Sequence, residues 1–323
     1  MRRRCVSNGA TLLLLTFASL GHLAPASLAS DAPPHFVLAW GQKGEAEGDL
    51  SSPIGVAVGP GDTLYVTEFH NSRVQKFDTE GKPLGSFPVA QYPGGIAVDN
   101  EGRVYVAPLL QGKICVYGPD GALLREWGAV GSGDGQFRDP GGIAVAPDGS
   151  IYVADQSNHR VQRFTPEGEL LAQWGGHGSQ PGQFGGKGTQ NARFAGPHFL
   201  AFDRRGDLFT TEGAEGRIQK FTADGKFLLA WGENSEAPGG FGGREKETRN
   251  ALPGPVGICV DRQDRVWVSA TNNRVQVFTA DGKFLHRVGA DDQFKLPHAM
   301  AVDSQGNVYI ADSSNHRIQK FAP

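Results

Sequence analysis

The chain repeats one arrangement of apolar and polar positions six times. Each copy opens with P-x-x-(apolar)-(small)-(apolar) and turns through a D-x-x-G type segment. A short apolar strand, a polar turn, R-(V/I)-Q-x-F, a second turn and an extended segment ending in W-G follow. The leading prolines are Pro53, Pro93, Pro140, Pro197, Pro255 and Pro297, at intervals of 40, 47, 57, 58 and 42 residues. Strand-like contents at a period in this range predict the blades of a β-propeller rather than a helical solenoid.

The last copy shows how one repeat becomes one blade. PHAMAVD gives a strand of small and apolar residues, and DSQGN supplies the Asp and Gly of a tight hairpin. VYIAD is the second strand, and the polar turn SSNH leads to the third, RIQKF. In RIQKF, Ile318 and Lys320 point one way and Gln319 and Phe321 the other, which predicts a strand only partly buried. Fourth strands read LLREWG, LLAQWG and LLAWG, with FLHRVG and PLGSF as weaker copies.

This last repeat stops at Phe321-Ala322-Pro323, directly after its third strand, while HFVLAWG at 35–41 is a fourth strand standing before the first repeat. Joining the two closes the ring and removes the exposed edges that an open sheet must otherwise protect. The expected fold is therefore all-β: a six-bladed β-propeller of four-stranded antiparallel blades, closed by the N-terminal strand completing the last blade. Residues 30–323 are expected to form this single domain.

Residues 1–29 read differently. Three arginines, an apolar run centred on 12–20 and small residues with a proline predict a secretory signal peptide, cleaved after Ala26 or Ala29. The run is too short for a spanning helix. An uncleaved anchor is the alternative, and Arg2-Arg3-Arg4 is a poor match to a twin-arginine signal. The expected location is secreted or periplasmic, with no membrane span after cleavage.

Cleavage leaves 28 basic against 34 acidic residues, a net charge of −6. That balance argues against nucleic acid as a partner. Cys115 and Cys259 fall in blades two and five, opposite each other in a ring of six, so no disulfide is expected between them. Cys259 replaces an alanine and is read as a small core residue.

Six copies act as an internal control on function. Residues present in most blades serve the blade: Arg73, Arg160, Arg217, Arg274 and Arg317 are expected to pair with Glu68, Asp155, Glu212 or Asp312, or with turn carbonyls. Trp40, Trp127, Trp174 and Trp231 are expected to pack between blades. Strand order puts the segment before each proline and the turn before each R-(V/I)-Q on one face, the top. The residue after the proline then stands at the mouth of the central channel. In blade order it is Ile54, Gly94, Gly141, His198, Val256 and His298, and the two histidines break the pattern. Imidazole is a common zinc and copper ligand, so His198 and His298 are candidate ligands for a metal, with zinc the expected one. Each histidine could instead cap a backbone group. A three-ligand site needs another donor, for which His177 is the candidate. The top-face loops 175–196 and 232–254 are unusually long, and Lys187 and Arg193 make the first locally basic, a candidate dock for an anionic group.

With P-x-G-(I/V)-A-V-D, S-N-H-R-(V/I)-Q-x-F and W-G in its repeats, the chain over residues 35–323 resembles an NHL-repeat six-bladed propeller. That resemblance implies the fold; members include RNA-binding, protein-binding and sensor domains, and the peptidyl-α-hydroxyglycine amidating lyases. The lyases' zinc is held by histidines of P-H motifs in three alternate blades. GPHFLAFD with His198 and LPHAMAVD with His298 match two of these, while YPGGIAVD puts Gly94 at the third. Neither the lyases' catalytic tyrosine nor their arginine is matched in the turns DQSNHR and TEGAEGR, and Ala299 stands where an aspartate serves their calcium site. The preferred reading is a non-catalytic module that binds a protein, peptide or carbohydrate through its top face. The alternative is a divergent metal-dependent lyase or hydrolase related to the amidating lyases.

Overall fold

Proline cannot donate to a sheet ladder, and in every blade the leading proline begins the first strand. A computed structural model describes residues 32–187, 194–242 and 254–323, besides Met1. The leader predicted at 1–29 lies, Met1 apart, outside the described residues. Ala32–Pro323 forms a compact unit of six four-stranded antiparallel sheets. The first strands are Pro53–Val58, Pro93–Val98, Pro140–Val145, Pro197–Phe202, Pro255–Val260 and Pro297–Val302. Each touches the first strand of the blades on either side, so they close a ring around the axis. In the sixth sheet, His35–Trp40 pairs with Arg317–Ala322, with Trp40 opposite Ile318, and completes the blade as the sequence implied.

Because side chains alternate across a strand, each blade buries both faces, one against each neighbour. In blade three, Ile151 and Val153 enter the core shared with blade two, while Tyr152 and Ala154 enter the core shared with blade four. Among the described residues there are six such cores, one per interface. The tryptophans belong to them: Trp127 lies 6.1 Å from Tyr105 of its own blade and 6.2 Å from Phe164 of the next. Trp40, Trp174 and Trp231 repeat this placement.

The third strand of the last blade departs from expectation. Ile318, Gln319, Lys320 and Phe321 are all buried, not partly exposed. Their polar groups are satisfied from within. Asp312, fully buried, accepts from Arg317 Nε at 2.8 Å, Gln319 Nε2 at 2.8 Å and the Lys295 amide at 2.7 Å. Lys320 Nζ reaches Glu80 Oε1 at 2.8 Å in blade one. Asp155 and Glu212 are equivalent hubs for Arg160 and Gln162 and for Arg217 and Gln219, and Glu68 pairs with Arg73 and Gln75. Arg274 faces Ala270 and donates to the Glu236 carbonyl instead.

A further repeat residue anchors the top-face loops. Leu50, Phe137, Phe184, Phe241 and Phe294 are each at most 2% exposed and plug into the blade interfaces. The W-G glycine lies over this plug: a Cβ on Gly128 would meet the Phe137 ring at 2.7 Å, and its φ of +96° is one that L side chains rarely adopt. Both described cysteines are buried and free; Cys259 sits in the core between blades five and six.

Candidate functional site

One backbone irregularity, repeated in every blade, aims the residues at the axis. Pro53 is opposite Glu68, but Val56 is opposite Val66, so one extra residue is taken up between them; the same shift follows each of the other five prolines. A bulge of this kind bends the strand and redirects a side chain. The residue after the proline therefore turns towards the channel mouth. All six of these residues, Ile54, Gly94, Gly141, His198, Val256 and His298, line one cavity of about 410 Å³.

A second ring of residues, each directly after a second strand, adds to the lining. It consists of Phe69, Leu109, Gln156, Thr271 and Ser313; Gly213 holds the sixth position and does not reach the cavity. Sequence comparison placed the site in these turns without singling out any of the five, because all differ from one another and no consensus exists for one of them to break. The lining mixes apolar and polar groups, and Ser52 and His70 of blade one belong to it as well. Blades one and two contribute Ile54, Phe69 and Leu109, and the Phe69 ring is backed by Tyr92 at 5.2 Å. Blades three to six contribute Gln156, His198, Thr271, His298 and Ser313.

Hydroxyls in the second strands lock the mouth. Ser269 Oγ accepts from the Gly257 amide at 2.9 Å and donates to the His298 carbonyl at 2.7 Å, tying blade five to blade six. Thr67 bridges Gly55 and the Gly94 carbonyl in the same way, and Thr211 bridges Phe199 and the Val256 carbonyl. The backbone beneath His298 is thus fixed.

His198 and His298 line the same cavity, close enough for one to affect the titration of the other. Burial lowers the pKa of His198, and it lowers that of His298 to about 4, the proximity of His198 adding to the effect. Both rings are therefore neutral near pH 7. His198 Nε2 lies 2.8 Å from the Phe194 carbonyl, which can only accept, so Nε2 carries the proton. The Phe194 amide in turn donates to Ser157 Oγ, and Ser157 donates to Asp139. His298 Nδ1 is buried with no hydrogen-bond partner among the described residues.

The remaining predicted residues lie elsewhere. His177 is outside the cavity lining, with its ring 4.8 Å from that of His159. Lys187 is held by Glu215: its Nζ lies 3.1 Å from the Glu215 carbonyl and 3.8 Å from Oε2, and its amide donates to Oε1. That carboxylate offsets the positive charge the sequence assigned to this loop. Arg193 lies outside the described residues, as does 243–253 of the second long loop. Up to Lys187 the first loop is seated, with Phe184 fully buried and the Gly185 amide donating to Glu212. Among the described residues no group of three or more His, Cys, Asp or Glu is placed to hold a metal ion. His198 and His298 alone fall short of the three protein ligands of a catalytic zinc. No helix of the described residues is long and apolar enough to cross a membrane.

The NHL repeat model matches residues 50–77, 137–164 and 294–321, the loop anchor through third strand of blades one, three and six. Peptidyl-glycine alpha-amidating monooxygenases B and A of Xenopus laevis are 27% and 28% identical over 147 residues. Those matches take in 42% of this chain but only 16% and 15% of the relatives' length. Among solved structures, a streptogramin B lyase superposes with a TM-score of 0.57 at 16% identity, covering 84% of this chain and 93% of that one. A gluconolactonase from Xanthomonas campestris gives 0.62 at 17% identity, covering 90% and 95%. At these identities the likeness is one of fold. With matched repeats in blades one, three and six and the same architecture in the other three, the chain is a six-bladed β-propeller that carries NHL repeats.

Proposed function

We propose that this propeller is a binding module, working outside the cytoplasm, that takes its ligand at the top face in the axial cavity. The observation that carries this reading is the convergence of side chains from all six blades on one enclosure of about 410 Å³, within the range of small-ligand sites. Protein, peptide and carbohydrate ligands are all compatible with a cavity at the channel mouth. The leader-like N-terminus supports export, and the acidic balance disfavours nucleic acid.

A second reading, a divergent lyase or hydrolase, is favoured by the P-H histidines and by the similarity to amidating monooxygenases. Against it stands the donor set: Gly94 supplies no third imidazole, and His198 Nε2 is committed to Phe194. Elemental analysis of the purified protein, beside the His198→Ala/His298→Ala double variant, separates the two. The binding reading expects no stoichiometric metal and a loss of ligand binding in the variant. Near-stoichiometric zinc or copper that disappears in the variant would favour the enzyme. Unchanged ligand binding in the variant would make the histidines structural and move the site elsewhere.

A further inference from the structure

Resting on that binding reading, we infer that the occupant is an uncharged amphiphilic small molecule: an apolar ring against Ile54, Phe69 and Leu109 of blades one and two, and hydroxyl groups read by Gln156 and Ser313 of the flanking blades three and six. Among the described residues, no Asp, Glu, Lys or Arg lines the cavity. An ionised ligand would therefore be desolvated there without a counter-charge.

Gln156 points to the hydrogen-bonding half of the ligand. The residue is only 5% exposed, yet its side-chain amide has no hydrogen bond to the described protein, and it lines the cavity. Gly141 leaves room for it: a Cβ there would fall 1.8 Å from Gln156 Nε2 and 2.8 Å from the His198 carbonyl, so a larger residue would displace the amide from this position. Ser313, 3% exposed, brings a hydroxyl with no partner in the described protein from blade six, across the ring. Buried polar groups are normally satisfied, so an amide and a hydroxyl left open on a cavity wall are matched by polar groups of the occupant. Hydroxyls serve both, since each can donate and accept. Ile54, Phe69 and Leu109 give an apolar surface that suits an aromatic or alicyclic ring, beside Ser52 and His70 of blade one. A phenyl glycoside has this division in one molecule.

Calorimetric titration at neutral pH with phenyl β-glucoside and with phenyl β-glucuronide, which differs by a carboxylate, tests the inference. The uncharged glycoside should bind, and the glucuronide should bind at least about tenfold more weakly. Gln156→Met keeps the bulk and removes the amide, and Ser313→Ala removes the hydroxyl; each should weaken the glucoside about tenfold or less. Neither should alter binding of the uncharged apolar fluorophore N-phenyl-1-naphthylamine, whereas Phe69→Ala should weaken it. Equal or tighter binding of the glucuronide overturns the inference, as does glucoside binding indifferent to both polar variants. If the fluorophore binds in a Phe69-dependent way and neither glycoside does, the ligand class is wrong while the cavity remains a binding site. If none of the three binds, the inference is overturned and the cavity is not a small-molecule site.

Discussion

Replacing Glu212 by glutamine should change how stability depends on pH. Glu212 is fully buried; it accepts from the Gly185 amide and from Arg217, and Glu215 lies near enough to oppose its charge. Burial raises its pKa from 4.5 to about 7, more than Arg217 lowers it. In the folded state the group therefore keeps its proton up to about pH 7, whereas the unfolded chain releases it near 4.5. Folded protein then binds the extra proton across that window, so the contribution of Glu212 to stability is full below pH 4.5 and is lost as pH rises through 7. At 1.36 kcal/mol per pKa unit the loss is about 3 kcal/mol. Glutamine retains the acceptor oxygen and cannot ionise. Denaturant unfolding of both proteins from pH 4 to 8 measures the effect, and subtraction of the two curves cancels every other titrating group. The variant's advantage should grow by about 3 kcal/mol from acid to mildly alkaline pH, most of it between pH 5 and 7. A difference curve that is flat, or that falls as pH rises, would refute the conclusion that burial outweighs Arg217 at this hub.

Two further outcomes follow from the packing. Trp40→Ala removes the ring seated 5.9 Å from Phe77 and 6.1 Å from Tyr309, at the seam where the ring closes. It should cost about 3 kcal/mol in equilibrium unfolding, and a loss below about 1 kcal/mol would mean that the seam bears little of the stability. Burial pushes the Cys115 thiol up to about 12 and that of Cys259 well above its usual value. In protein lacking residues 1–29, neither should react with Ellman's reagent until denaturant is added, and rapid modification of the native protein would contradict their burial.

The sequence carried the fold because every blade repeats it, and it carried the channel mouth because one position after each proline could be compared six times. All six of those residues do line the cavity. Gln156 and Ser313 escaped because their position varies in every blade, so nothing marked them as exceptions. Polar residues of the third strand looked half-exposed because a side-chain pattern does not reveal a carboxylate reaching back from the neighbouring strand; Asp312 and its counterparts make those positions interior. His177 looked close to the two channel histidines because it shares their face. The chain seats it instead beside His159, paired with Phe184 and outside the cavity lining.

The pairing of His35–Trp40 with Arg317–Ala322 also sets the order of assembly. Contacts between segments so far apart form late and slow folding. As synthesis proceeds from the N-terminus, the strand made first has no partner until the last repeat has emerged. Five blades can complete their own sheets by local hairpins, whereas the sixth needs both ends of the domain at once. A chain halted before Arg317 would keep an unpaired edge at His35–Trp40, open to pairing with another copy.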